Sequence, residues 1–68
     1  MATNDIDANN AYVVMGHDSQ TNQAWVAQDI KGDEIFNLDH AHEVATDKLQ
    51  RNMWGDGCTY RVFKLTPV

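Results

Sequence analysis

Three histidines are the residues of this chain whose chemistry first suggests a metal site. His40 and His42 stand two residues apart in a segment with a helical period, so they point about 200° away from each other around the helix axis. Two side chains on opposite sides of a helix cannot bind one ion, and we therefore predict no metal site. His42 falls beside apolar positions and is interpreted as a hydrogen-bonded histidine at the core margin. A ligand or pH-switch role is the alternative.

Cys58 is the only cysteine of the chain, so an internal disulfide is impossible. It follows the predicted end of the helix, where the partial negative charge of the helix dipole disfavours a thiolate. We expect an unreactive, half-buried thiol rather than a catalytic nucleophile.

The chain is acidic, with ten Asp and Glu against five Lys and Arg and a formal charge of −5. The ligand spacing and fixed glycine of a calcium loop are missing, and paired catalytic carboxylates would need a cleft that so small a domain hardly forms. We expect Asp39, Glu43 and Asp47 to form a solvated helix face, with mimicry of nucleic-acid phosphates as the alternative. The sequence predicts no catalytic residue, no cofactor and no enzyme.

The same acidic balance opposes direct nucleic-acid binding, because that binding depends on clustered Lys and Arg. Bases could stack on Tyr12, Trp25 and Tyr60, but the basic groove that accompanies such platforms is missing. No apolar run approaches the roughly 20 residues of a membrane span, and the N-terminus lacks the features of a signal peptide. We predict a cytoplasmic protein without a membrane partner.

The segment from Asn37 to Gly55 has the one clear helical period of the chain. Asn37 is a plausible N-cap, and the glycines around Asp56 favour termination of the helix. The apolar stripe of this predicted helix comprises Leu38, Ala41, Ala45, Leu49 and Met53.

Three β-rich runs surround the helix, at residues 11–17, 23–30 and 58–65. The first two form a hairpin signal with a loop of about five residues. If His17 lies opposite Gln23, the apolar residues divide between two faces. One face then holds Val13, Met15, Trp25 and Ala27, and the other holds Tyr12, Val14, Val26 and Ile30.

The order strand, strand, helix, strand restricts the topology. A right-handed crossover through the helix returns the third strand antiparallel to the first, with spatial order 2-1-3. We therefore predict an α+β fold: a three-stranded antiparallel ββαβ sheet with one helix packed on one face. Residues 11–68 form this single domain, and residues 1–10 form a disordered N-terminal tail.

The apolar content exceeds what one helix can cover, which predicts a contact surface for another protein. The alternative is a more compact core, with Trp54 folded over the edge of the sheet. A chain of 68 residues without disulfides also gains stability by association, so we expect a homodimer. The predicted partner-binding residues are Tyr12, Val14, Trp25, Val26, Trp54 and Tyr60.

The layout of these elements and the C-terminal sequence TYRVFKLTPV resemble short uncharacterised accessory proteins of tailed bacteriophages. The resemblance covers Tyr12 to Leu65 in arrangement and has no diagnostic motif. It implies a small protein that binds and modifies or inhibits a host or defence protein in the host cytoplasm. The sequence thus predicts a non-enzymatic interaction module, with an acidic nucleic-acid mimic as the alternative.

Overall fold

The computed structural model describes residues 4–51 and 57–68 of the chain. The elements follow in the order β1 (Tyr12–Asp18), β2 (Gln23–Val26), α1 (Leu38–Arg51) and β3 (Cys58–Lys64). The strands form one antiparallel sheet of spatial order β2-β1-β3. This arrangement confirms the predicted α+β fold and strand order. The predicted continuation of the helix to Gly55 lies outside the described residues.

The core lies between α1 and one face of the sheet. Val14 of β1 is completely buried, and Tyr60 reaches it from β3. Alanines on α1 keep the helix surface small where it meets these larger side chains, so that the two layers approach closely. The buried residues are Val14, Ala27, Phe36, Ala41, Val44, Ala45 and Tyr60.

The start of α1 is fixed to the start of β1. The backbone of Phe36 exchanges two hydrogen bonds with Tyr12, at 2.7 and 2.8 Å, and the Phe36 side chain is completely buried. Asn37 then accepts a hydrogen bond from the amide of His40 through its side-chain oxygen, at 2.8 Å. The predicted N-cap at Asn37 is therefore confirmed.

The buried stripe of α1 is rotated relative to the predicted one. Ala41, Val44 and Ala45 are buried, whereas Leu38 and Leu49 are 39% and 51% exposed. Small side chains occupy the contact because Phe36 and Tyr60 already fill much of the space beneath the helix. The remaining predicted stripe residue, Met53, lies outside the described residues.

The β1–β2 hairpin differs from the predicted register by one residue. His17 pairs with Ala24, and Asp18 pairs with Gln23. Asn22 adopts a left-handed conformation, with φ of 59°, and donates its amide to the Asp18 carbonyl at 2.8 Å. The loop therefore has four residues, one fewer than predicted, because β1 extends one residue further, to Asp18.

This shift places each β2 side chain on the face opposite to the predicted one. Trp25 pairs with Gly16 and lies on the helix side, and Val26 pairs with Met15 and lies on the other side. The predicted grouping of Val13 and Met15 with Trp25 is wrong.

β2 ends at Val26, earlier than the predicted strand end at Ile30. The Asp29 carboxylate accepts hydrogen bonds from the amides of Lys31 and Asp33, each at 2.9 Å, and so folds the chain into a turn. Gly32 supplies the positive φ of 89° within this turn. Ile30 consequently lies fully exposed at the tip of the turn instead of on a sheet face.

Residues 4–10 lie against the start of the helix. The Asn4 side chain donates to the Ile35 carbonyl and accepts from the Asn37 amide, both at 3.0 Å. Asn10 accepts from the Leu38 amide at 3.0 Å. These contacts differ from the disordered tail predicted for residues 1–10, because asparagine side chains satisfy backbone amides at the helix start. Residues 1–3 lie outside the described residues.

An aromatic pair spans the sheet across a glycine. Trp25 and Tyr60 both pair with Gly16, from opposite sides of β1. Their rings meet edge to face, with centroids 6.1 Å apart and an interplanar angle of 78°. A Cβ atom at Gly16 would overlap the Trp25 indole. The missing side chain of Gly16 therefore lets the indole lie on the central strand.

We expect Gly16→Ala to destabilise the fold by about 1–3 kcal/mol, because the indole must leave its contact with Tyr60. Urea unfolding followed by circular dichroism measures the change. The double variant Gly16→Ala/Trp25→Leu should lose less than the sum of the two single variants, since Leu leaves room for the methyl group. Additive losses would contradict this steric account.

Candidate functional site

The face of the sheet that points away from α1 is the candidate site, and we call it the uncovered face. Alternation along the strands sets its members. On β1, Val13 pairs with Phe63, and Met15 lies between Val26 and Arg61. The uncovered face comprises Val13, Met15, His17, Ala24, Val26, Thr59, Arg61 and Phe63.

Most of the uncovered face is apolar. Val26 and Phe63 are 42% and 48% exposed, on either side of the half-buried Val13 and Met15. Leu65 continues the alternation of Phe63 one residue beyond β3 and is 40% exposed. These side chains form one continuous patch, because the register places them on neighbouring strands. Contiguous exposed apolar groups of this kind mark contact surfaces more often than scattered ones do.

The uncovered face also differs from the rest of the chain in charge. None of its eight described positions is Asp or Glu, although the chain carries a formal charge of −5. Arg61 is its one formally charged residue, at the outer strand, and His17 lies near the hairpin loop. The nearest strand carboxylate, Asp18, falls on the helix side by alternation.

The predicted partner-binding residues lie mainly on the helix side. Val14 and Tyr60 are buried core residues, and Tyr12 and Trp25 pack against that core. The expectation that these four form an exposed contact face is wrong, because α1 packs on their side of the sheet.

Among the predicted partner-binding residues, Val26 does lie on the uncovered face, and Trp54 falls outside the described residues. Val13, Met15, Phe63 and Leu65 were not predicted as site residues. The signal that could have found them is the alternation of β3, which separates Phe63 and Leu65 from Tyr60.

The predicted acidic residues are exposed on α1. Asp39, Glu43 and Asp47 recur every four residues, about 6 Å apart along the helix axis. They lie on a different surface from the uncovered face, because α1 covers the opposite side of the sheet. The molecule therefore presents one acidic helix surface and one apolar sheet surface.

The histidine at the core margin is His40 rather than His42. His40 donates from Nε2 to the Asp29 carboxylate at 3.1 Å, and its ring meets Phe36 edge to face, with centroids 5.2 Å apart. His42 is exposed. The structural role predicted for His42 is wrong because the buried stripe of α1 is rotated, which brings His40 over the Asp29 turn.

Asp29 connects the β2–α1 loop to the helix. Burial alone would raise the pKa of its carboxyl group. The hydrogen bonds from His40 and from the amides of Asp33 and Lys31 outweigh that effect and hold the pKa below its ordinary value. The ionised carboxylate is therefore the form that holds this loop against α1.

Cys58 is half-buried beside Asp18, its partner across β1 and β3. Burial, together with the negative charge of Asp18, raises the pKa of the thiol. This environment agrees with the unreactive thiol expected from the sequence. Within residues 4–51 and 57–68, His, Cys, Asp and Glu form no group of three that could hold a metal ion.

An open cleft beside β2 is lined by Trp25, Asp29, Lys48 and Tyr60, with no histidine and no Cys58 among its described lining residues. In the described part of the chain, no helix has the length and apolar character needed to cross a bilayer.

Comparison of the chain with models of protein families, with curated proteins and with solved structures finds no match. The two surfaces of the molecule are therefore the basis for inferring its function.

The Asp29 contacts predict a specific pH dependence of stability. Because the pKa of Asp29 is lowered in the folded state, its carboxylate stabilises the fold at pH values above about 4, the ordinary carboxyl pKa. That contribution is lost as the pH falls through the lower, folded-state value. Asp29→Asn should therefore be less stable than the wild type at neutral pH. The difference in stability between the two proteins should become smaller in acid.

Thermal unfolding of both proteins across this pH range measures the gap. Asp33→Asn is the matched control, because it removes a carboxylate from the same loop but keeps the Asp33 amide that Asp29 binds. A gap between wild type and Asp29→Asn that stays constant with pH would show that the Asp29 charge does not stabilise the loop.

Proposed function

We propose that this chain is a non-enzymatic protein that acts by binding another protein through its uncovered face. The observation that carries the proposal is the continuous apolar patch formed by Val13, Met15, Val26, Phe63 and Leu65 on a face that α1 does not cover.

Burial of this patch offers a substantial driving force. Complete burial of a Val, Leu or Phe side chain contributes roughly 1.5–3 kcal/mol, and Val26, Phe63 and Leu65 are each exposed by 40% or more. A small domain buries a limited share of its apolar surface by itself. A partner that covers this face would therefore stabilise the fold as well as the complex.

The distribution of charge sets the kind of partner. The uncovered face carries Arg61 and no carboxylate, so it suits an apolar surface with an acidic or neutral margin. The acidic side chains of α1 stay in solvent in such a complex. With the resemblance to phage accessory proteins, this favours a protein that inhibits a host or defence protein in the host cytoplasm.

A second candidate function is mimicry of nucleic acid. Asp39, Glu43 and Asp47 are exposed at regular intervals along α1 and could occupy the phosphate-binding surface of a DNA- or RNA-binding protein. This interaction would depend on charge. It should weaken steeply with salt, whereas an apolar contact should respond little.

Val26→Lys should abolish partner capture without unfolding the protein, because it places a charge on an exposed apolar face, beside Met15 of the central strand. The measurement is affinity capture from the encoding or host organism, with tagged wild type and variants compared by quantitative mass spectrometry. Ile30→Lys is the matched control, since Ile30 is fully exposed at a loop tip away from the sheet.

We expect the wild type and Ile30→Lys to capture the same partner protein, and Val26→Lys to fail to capture it. The captured partner should stay bound at moderate salt. Capture that survives Val26→Lys but disappears in the triple variant Asp39→Asn/Glu43→Gln/Asp47→Asn would favour nucleic-acid mimicry instead. Trp25 and Tyr60 are unsuitable probes, because a charge at either position would disrupt the core.

A further inference from the structure

We propose that the partner of the uncovered face is the same face of a second copy of this chain. The inference depends on the proposed function, since it names an occupant for the same surface. The resulting dimer has four layers, with the two sheets in contact at the centre and one α1 helix on each outer side.

Charge segregation favours a second copy. Two molecules with a formal charge of −5 each would ordinarily repel one another. On the uncovered face, however, no carboxylate is present among the eight described positions, and the acidic residues of α1 lie across the thickness of the sheet. Face-to-face association therefore keeps the acidic residues of the two α1 helices on opposite outer surfaces.

The position of Arg61 is compatible with twofold symmetry. Arg61 lies on the outer strand β3, beside Met15 of the central strand. A twofold axis that runs along β1 between the sheets brings β3 of one copy over β2 of the other. The two Arg61 side chains then lie at opposite margins of the interface. The apolar centre, Val13 and Met15, meets its own copy.

The size of the face predicts the strength of the dimer. Two seven-residue strands and the four-residue β2, at ordinary strand rise and spacing, give a face of roughly 280 Å² in projection. Side-chain relief raises the accessible area, but a stable standard interface buries about 800 Å² per partner. We therefore expect a weak dimer that forms and dissociates with concentration.

Sedimentation equilibrium of the full chain, from micromolar to millimolar concentration, tests the inference. Wild type should shift from monomer to dimer over this range. Phe63→Lys and Val26→Lys should each raise the dissociation constant about tenfold or more, because every dimer would then bury two unpaired ammonium groups. Ile30→Lys carries the same charge change off the face and should dimerise like wild type.

Far-UV circular dichroism of each variant keeps the test decisive. Phe63 and Val26 are both about half exposed, so either substitution should leave the fold intact. If one variant fails to fold, the other still reports on the face.

Two results would overturn the inference: a wild-type protein that stays monomeric at millimolar concentration, or a dimer unaffected by both face variants. In the first case, capture of a different protein that is lost with Val26→Lys would leave the proposed function standing. Absence of both self-association and Val26-dependent capture would overturn the proposed function as well.

Discussion

One helix covers one face of a three-stranded sheet whose central strand is apolar on both faces. On β1, Val14 is completely buried under α1, and its neighbours Val13 and Met15 point to the side that α1 leaves open. Strand geometry makes this unavoidable, because successive side chains alternate between faces. The fold therefore buries the sheet on one side only and leaves apolar side chains of the uncovered face exposed to solvent.

The core between α1 and the sheet contains few large side chains. The large buried groups are Phe36 and Tyr60, and the helix above them contributes alanines and one valine. Trp25 closes the edge of this core by lying on Gly16, where any larger residue would displace it. A small core of this kind depends on a few aromatic contacts, and each of them has few neighbours that could compensate for its loss.

Polar contacts hold the start of α1 and the β2–α1 loop in place. Asn37 caps α1, and Asn4 and Asn10 satisfy further backbone groups at the same helix start. Asp29 organises the β2–α1 loop through two backbone amides and binds His40 on the helix. These side chains fix the start of α1 and the loop that precedes it, while the apolar core holds the helix on the sheet.

The order of elements could be predicted from the sequence, because the periods of the strands and of the helix are strong and few topologies connect them. The register of the first hairpin could not, because it depends on the left-handed conformation of Asn22 in the loop. A shift of one residue moved Trp25 and Val26 to opposite faces.

The rotation of α1 also escaped prediction. The apolar period of the helix sequence does not reveal that Phe36 and Tyr60 leave room only for small side chains where α1 meets the sheet. Alanine therefore occupies this contact rather than leucine. For that reason His40, and not His42, reaches Asp29. An uncovered apolar face was predictable from the excess of apolar residues, whereas its members required the pairing of the strands.

Methyl and amide NMR spectra recorded at rising protein concentration test the central claim most directly, because they report on each face of the sheet separately. If the uncovered face is the contact surface, chemical-shift changes should concentrate at Val13, Met15, Val26 and Phe63. The signals of Val14 and of the acidic residues of α1 should not change. Chemical-shift changes confined to α1 would contradict the account. So would spectra that do not change with protein concentration and that show no change at these four residues when a captured partner is added.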